Sequence, residues 1–298
     1  MCKAKVLLLT ALWLTGAAVA QQSPAQPIQS YGLYEYTSFS VGHDSSAGWS
    51  SVMDSAVGYS LNQTFAIEAG APFYLLTTTQ GTSTTGSTTA TTYSGSLGDA
   101  FLRLKAQRKS DALDYSTAFT VTAPTGDTSA GVSTGRATFN WGNRFEHGFD
   151  HVTPFGEASI ANSLASTRRH PRDYTTLGAV SEFRGGAGFD LLQHVSLETS
   201  AYADIGYGNQ KVYSRSVRKG AVGSANAAKH NRAFAAAYLT TGSVGLVNDQ
   251  GLAADLSWNI TPRFDMGVSY DHSLHFATDS VSMTVGVRLG SGVTKPGK

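Results

Sequence analysis

Carboxylates and cations recur in this chain at alternate positions among apolar neighbours, and these are the residues whose spacing most invites a chemical reading. Asp54, Glu68, Asp99, Glu146, Glu157, Glu182, Glu198, Asp204, Asp255, Asp265 and Asp271 supply the carboxylates; Arg103, Lys105, Arg136, Arg144, Arg184, Arg263 and Arg288 supply the cations. Gathered on one polar surface, such residues do one of two things. Neighbours pair their charges so that no buried group is left unsatisfied, or they frame a constriction that sorts solutes by charge and size. The candidates for that lining are Asp99, Arg103, Lys105, Arg136, Arg144, Glu182, Arg184, Glu198, Asp204, Asp255, Asp265 and Arg288. Among them Arg103, Lys105, Arg136 and Arg144 would frame one basic wall.

A second set of cations sits between the apolar stretches: Arg168, Arg169 and Arg172, then Arg215, Arg218 and Lys219. Guanidinium groups in such a patch suit phosphates, those of lipopolysaccharide included; the alternative is a solvated charged loop. Signatures of covalent catalysis are poor. Gly131-Val132-Ser133-Thr134-Gly135 has the spacing of a nucleophile elbow, but that motif needs a strand before it and a helix after it. Here an alternating segment follows, so the glycines read as a turn. His147 with His151, and His272 with His275, lack the carboxylate or thiol companions of a metal site. The sequence therefore predicts no catalytic residue, no metal and no cofactor.

The elements that would position these residues are strands. In 195–207, Val195, Leu197, Thr199, Ala201, Ala203, Ile205 and Tyr207 alternate with Ser196, Glu198, Ser200, Tyr202, Asp204 and Gly206. A period of two means one apolar and one polar face. The same alternation runs through Phe65 to Leu75, Tyr115 to Ala123 and Val281 to Leu289. Strands are expected over 31–41, 49–60, 63–77, 96–108, 113–123, 136–146, 153–164, 174–189, 194–208, 250–260, 262–273 and 279–289. Connections after the even strands are short and those after the odd strands mostly longer, notably 78–95, 124–135 and 209–249. Residues 78–95, nearly all Thr, Ser and Gly, read as a mobile low-complexity loop, and alanine-rich 224–239 as a short helix.

Lys3 and Lys5, the apolar run Val6–Leu14 and the small residues Ala18-Val19-Ala20 predict a secretory leader over 1–20. The one cysteine, Cys2, lies inside it. An exported chain without further thiols has no disulfide staples, so its stability must come from closed hydrogen bonding and burial. The net charge of +1, from 22 basic and 21 acidic residues, gives no electrostatic case for nucleic acid. No segment beyond the leader is long and apolar enough for a membrane helix. An even number of alternating strands, with short turns at one end and long loops at the other, instead predicts an all-β protein: a closed antiparallel transmembrane barrel of about twelve strands. Lipid offers no partner for backbone amides, so such a sheet has to close. Aromatic residues near strand ends, such as Phe65, Trp141, Phe145 and Trp258, suit its interfacial girdles. The barrel would span 31–289, with 21–30 a periplasmic segment and 290–298 a polar tail.

The string Gly98-Asp99-Ala100-Phe101-Leu102-Arg103-Leu104-Lys105, followed by a strand ending in Pro124-Thr125-Gly126-Asp127 and then Gly135, resembles the outer-membrane barrel family labelled MetA-pathway of phenol degradation. Its members are described as transporters, so the resemblance implies passage of phenolic or aromatic compounds. The chain departs from outer-membrane barrels generally in ending its last strand at Leu289 rather than at an aromatic residue. The expectation is a passive route for small solutes, bedded in outer-membrane lipid. Its rivals are a structural or adhesive surface protein with a blocked lumen and an embedded lipid-modifying enzyme using Ser133.

Overall fold

A computed structural model describes residues 31–44, 48–81, 89–126, 132–133, 135–164, 174–214, 238–242 and 247–290. The strands are β1 (Gly32–Asp44), β2 (Gly48–Ser60), β3 (Phe65–Gly81), β4 (Thr89–Leu97), β5 (Ala100–Arg108), β6 (Asp114–Ala123), β7 (Thr138–Glu146), β8 (Val152–Leu164), β9 (Tyr174–Leu192), β10 (Val195–Gly206), β11 (Gln210–Ser214), β12 (Tyr238–Gly242), β13 (Asp249–Thr261), β14 (Phe264–Ser273) and β15 (Thr278–Gly290). All pairings are antiparallel, and each barrel strand pairs with the next along the chain. β1 closes the ring by pairing with β15 from Tyr34↔Gly290 to Asp44↔Ser280. Both β4 and β5 pair with β3, one above the other, so they count as one strand and the barrel has twelve. β11 and β12 form a separate hairpin between β10 and β13.

The two faces of the sheet differ in chemistry because they meet different solvents. On β3 the outward positions include Phe65, Ile67 and Leu75, all exposed, while Ala66, Glu68 and Tyr74 between them are buried. On β15 the outward Val281 and Val287 are exposed and the inward Ser280 and Ser282 buried. An exposed apolar exterior around a polar interior inverts the layering of a soluble barrel, and lipid is the solvent that stabilises it. Charge marks the edges of the apolar band. Outward His272 and Asp279 pair at one end, and Glu35 stands opposite Leu289 near the other. From Asp279 to Leu289 the chain climbs roughly 25 Å, for a rise of about 3.3 Å per residue and a tilt of about 40°. That matches the apolar height of an outer membrane.

The alternation places all twelve barrel strands within a few residues of where they lie. Three stretches differ. The segment expected as a loop over 78–95 is largely sheet, since Thr77↔Tyr93 through Gly81↔Thr89 continue the β3–β4 ladder. The β11–β12 hairpin sits inside the longest expected connection. Of the helix expected over 224–239, Tyr238 and Leu239 belong to β12, and 224–237 lie outside the described residues.

Glycines on the inner face receive aromatic rings from the neighbouring strand. A Cβ on Gly58 would overlap the ring of Tyr34, and one on Gly251 would overlap both Tyr202 and the His272 carbonyl. These slots let the rings lie close against the wall. Gly251→Val should therefore destabilise the barrel by about 2 kcal/mol through overpacking, read as a lower urea midpoint of unfolding. An unchanged midpoint would mean that the ring moves aside without cost.

Candidate functional site: a charged inner wall

Among the described residues, three ion-paired groups occupy the inner face, each assembled from several strands. In the first, Glu68 on β3 accepts from Arg103 Nη1 at 3.0 Å and from Lys105 Nζ at 2.6 Å, both on β5. The Tyr34 hydroxyl of β1 donates to the same carboxylate at 2.8 Å, and Arg103 Nε reaches Thr120 Oγ1 on β6 at 3.2 Å. One carboxylate thus balances two cations that its own strand pairing brings alongside, because Glu68 and Arg103 are partners in the β3–β5 register.

The second group is the largest. Arg144 of β7 contacts Glu146 at 2.8 Å, Glu157 of β8 at 2.6 Å and Glu198 of β10 at 2.9 Å. Arg184 of β9 contacts Glu198 at 3.0 Å and Asp255 of β13 at 2.8 Å, and its Nε donates to Ser200 Oγ at 2.7 Å. Both guanidinium groups lie over the Phe155 ring, at 4.0 and 5.7 Å from its centroid, a cation–π arrangement that orients their planes. Arg144 and Glu198 are on non-adjacent strands, so their contact spans the curve of the wall.

The third group is Arg288 of β15 with Asp265 of β14, 3.3 Å apart, the guanidinium over Tyr36 of β1. An acidic set lies on the inner face of β10, β13 and β14. The Tyr202 hydroxyl is 3.0 Å from Asp249 and 3.1 Å from Asp271, Ser273 Oγ donates to Asp249 at 2.6 Å, and Asp204 is the register partner of Asp249. Charged groups of the large network keep solvent exposure despite facing inward: the side chains of Glu146, Glu198 and Asp255 are 34%, 23% and 22% exposed. Space wide enough for water therefore adjoins them.

Among solved structures the chain aligns with the COG4313 outer membrane channel from Pseudomonas putida F1, at 9% identity and a TM-score of 0.52, over 91% of this chain and 100% of that one. It also aligns with the NanC porin at 9% identity and a TM-score of 0.46, over 87% of this chain and 100% of that one. A third is the KdgM porin in complex with disordered oligogalacturonate, at 6% identity and a TM-score of 0.45, over 86% of this chain and 99% of that one. No protein-family model and no curated protein matches. This chain has the fold of an outer membrane channel.

Within that channel fold, most sequence-predicted residues stand on inward strand positions, and the exceptions are informative. Arg136 precedes β7, and its Nη2 donates to the Asn162 carbonyl at 3.0 Å. Arg263 lies in the two-residue turn between β13 and β14. The single basic wall does not form: Arg103 and Lys105 share Glu68, Arg144 belongs to the Glu157–Glu198 network, and Arg136 serves the backbone. Glu182 accepts from Ser159 Oγ at 3.4 Å, and Asp99 accepts the Gly126 amide at 3.0 Å. Arg168, Arg169, Arg172, Arg215, Arg218 and Lys219 lie outside the described residues.

Sequence reasoning missed Val132. It is completely buried against Val52 of β2 and Tyr74 of β3, both inward, so Val132 itself lies inside the barrel. Ser133 Oγ accepts the Gly135 amide at 3.0 Å, and Gly135 takes φ of 70°. That is turn chemistry, followed by a strand rather than the helix a nucleophile elbow requires. A lone valine in a glycine-rich segment carries no periodic signal, so nothing local could have revealed it.

Proposed function

We propose that this protein is a passive, water-filled route for small solutes across the outer membrane, working without covalent chemistry. The observation that carries the reading is the partial exposure of ion-paired side chains on the inner face, since a side-chain-filled cylinder would leave them none. Paired charges held flat against a wall keep a lumen polar without obstructing it. The amino terminus and short turns would face the periplasm and the long connections the outside, after export on a cleaved leader over 1–20. The basic segments at 168–172 and 215–219 would then meet lipopolysaccharide phosphates at the cell surface.

The candidate lining residues act here as a selectivity wall. Solutes captured at the loop end pass Val132 and then the Glu68 and Arg144 networks. The likeness of Gly98–Lys105 and Pro124–Asp127 to MetA-pathway barrels supports hydrophobic or aromatic compounds as the cargo. Purified protein in planar bilayers should give discrete conductance steps, and Val132→Asp, which puts a charge between Val52 and Tyr74, should change the step size. Folded barrels that conduct nothing and admit no solute would refute the reading in favour of a blocked structural barrel.

A further inference from the structure

Charge does not balance in the Arg144–Arg184 network. Two guanidinium groups meet four carboxylates there, Glu146, Glu157, Glu198 and Asp255, which leaves an excess of negative charge on a wall of low dielectric. Such an excess draws a counter-cation to the place where it meets water. That place is the acidic edge of the network. Glu198 and Asp255 keep contact with water, whereas Arg144 and Arg184 are buried, so an incoming solute meets carboxylate before guanidinium.

Beside this acidic edge lies a hydroxyl whose bonding is unmet. Glu198, Asp255, Ser269 and Ser282 are successive register partners across β10, β13, β14 and β15, and all four face inward. The hydroxyls around them are committed. Ser269 Oγ donates to Asp255 Oδ1 at 2.6 Å, Ser40 and Thr284 bond each other at 3.0 Å, and so do Ser196 and Ser257 at 2.7 Å. Ser282 differs: the residue is 5% exposed, and its Oγ has no hydrogen-bond partner among the described residues. A hydroxyl buried without a partner is destabilising, and native structures satisfy nearly all of them. The wall beside it is built small. Gly42 of β1 is its register partner, and a Cβ on Gly267 of β14 would meet nothing nearer than the Leu256 carbonyl at 3.6 Å.

We infer that Asp255 and Ser282 bind the primary ammonium group of small amines within the lumen. An ammonium presents three N–H donors around one positive charge. One donor meets the Asp255 carboxylate, which accepts from several groups at once, a second meets Ser282 Oγ, and the charge offsets part of the excess left by the arginines. A metal ion suits the place less well, since among the described residues no three His, Cys, Asp or Glu side chains are arranged to hold one. The inference rests on the channel reading above and names a solute class for it.

The test separates hydrogen-bond donation from charge. Propylammonium has both, and tetramethylammonium has the charge without a donor. With the purified protein in planar bilayers under KCl, propylammonium should reduce the K⁺ current at concentrations several-fold lower than tetramethylammonium does. Ser282→Ala should raise the half-blocking concentration of propylammonium several-fold and leave that of tetramethylammonium where it was. Asp255→Asn should raise both, and Thr284→Val, whose hydroxyl is committed to Ser40, should move neither. Ser282→Ala removes one oxygen and keeps the test decisive should Asp255→Asn fail to fold. Titration calorimetry with propylammonium reads binding in the same proteins without current. Equal block by the two cations, or block indifferent to Ser282→Ala, would overturn the amine site and leave the channel standing. A protein that conducts nothing yet binds propylammonium through Ser282 would remove the channel and keep the site, and the absence of both current and binding heat would remove both.

Discussion

Replacing Arg144 with Met should lower the unfolding free energy of the barrel by about 3 kcal/mol, the low end of what removing one partner of a buried ion pair costs. The guanidinium of Arg144 touches Glu146, Glu157 and Glu198 together, all within 2.9 Å. Without it three carboxylates share one stretch of wall with Arg184, which reaches Glu198 at 3.0 Å but Glu157 only at 4.0 Å. The low end applies because Glu146 and Glu198 retain contact with water. Met keeps the length of the side chain over Phe155, so the loss reports charge rather than a cavity. Adding Glu198→Gln, which removes one of the three uncompensated charges, should restore part of the loss. Urea unfolding followed by tryptophan fluorescence would decide. A variant as stable as the parent at neutral pH would mean that lumen water and Arg184 neutralise the cluster unaided.

That network also shows where reading the sequence stops. Strand positions were legible because lipid and water impose opposite demands on alternate residues, as along Val195–Tyr207. Where apolar and polar residues do not alternate the period gives no signal. Thr89-Ala90-Thr91-Thr92-Tyr93 therefore looks like a loop although it pairs with Thr77–Gly81, and β11 and β12, five residues each, are too short to show a period. Inward charges were legible as a set but not as partners. Arg144 and Glu198 are 54 residues apart, and their meeting depends on strand order, register and the curvature of a closed wall. Arg136 was misplaced because the alternation around it extends two residues beyond the strand. The single strand expected over 96–108 is broken at Gly98-Asp99, where the alternation shifts by one residue so that Leu97 and Leu102 both face outward.

The same inward census predicts cation selectivity. Among the described residues the inward cations are Arg103, Lys105, Arg144, Arg184 and Arg288, and carboxylates outnumber them: Glu68, Glu146, Glu157, Glu182, Glu198, Asp204, Asp249, Asp255, Asp265 and Asp271 all face the same space. Low-dielectric walls focus that excess negative potential into the lumen, so a KCl gradient across a planar bilayer should give a reversal potential favouring K⁺ over Cl⁻ several-fold. The acidic set at Asp204, Asp249 and Asp271, held in part by Tyr202 and Ser273, supplies three of those carboxylates. Changing all three to Asn keeps their size, and should lower the permeability ratio without altering the conductance step greatly. Screening gives an independent check: with a Debye length of about 10 Å at 0.1 M salt and about 3 Å at 1 M, the preference should fade at the higher concentration. A channel that prefers anions, or whose selectivity survives both the triple substitution and high salt, would place the selecting charges elsewhere than on this wall.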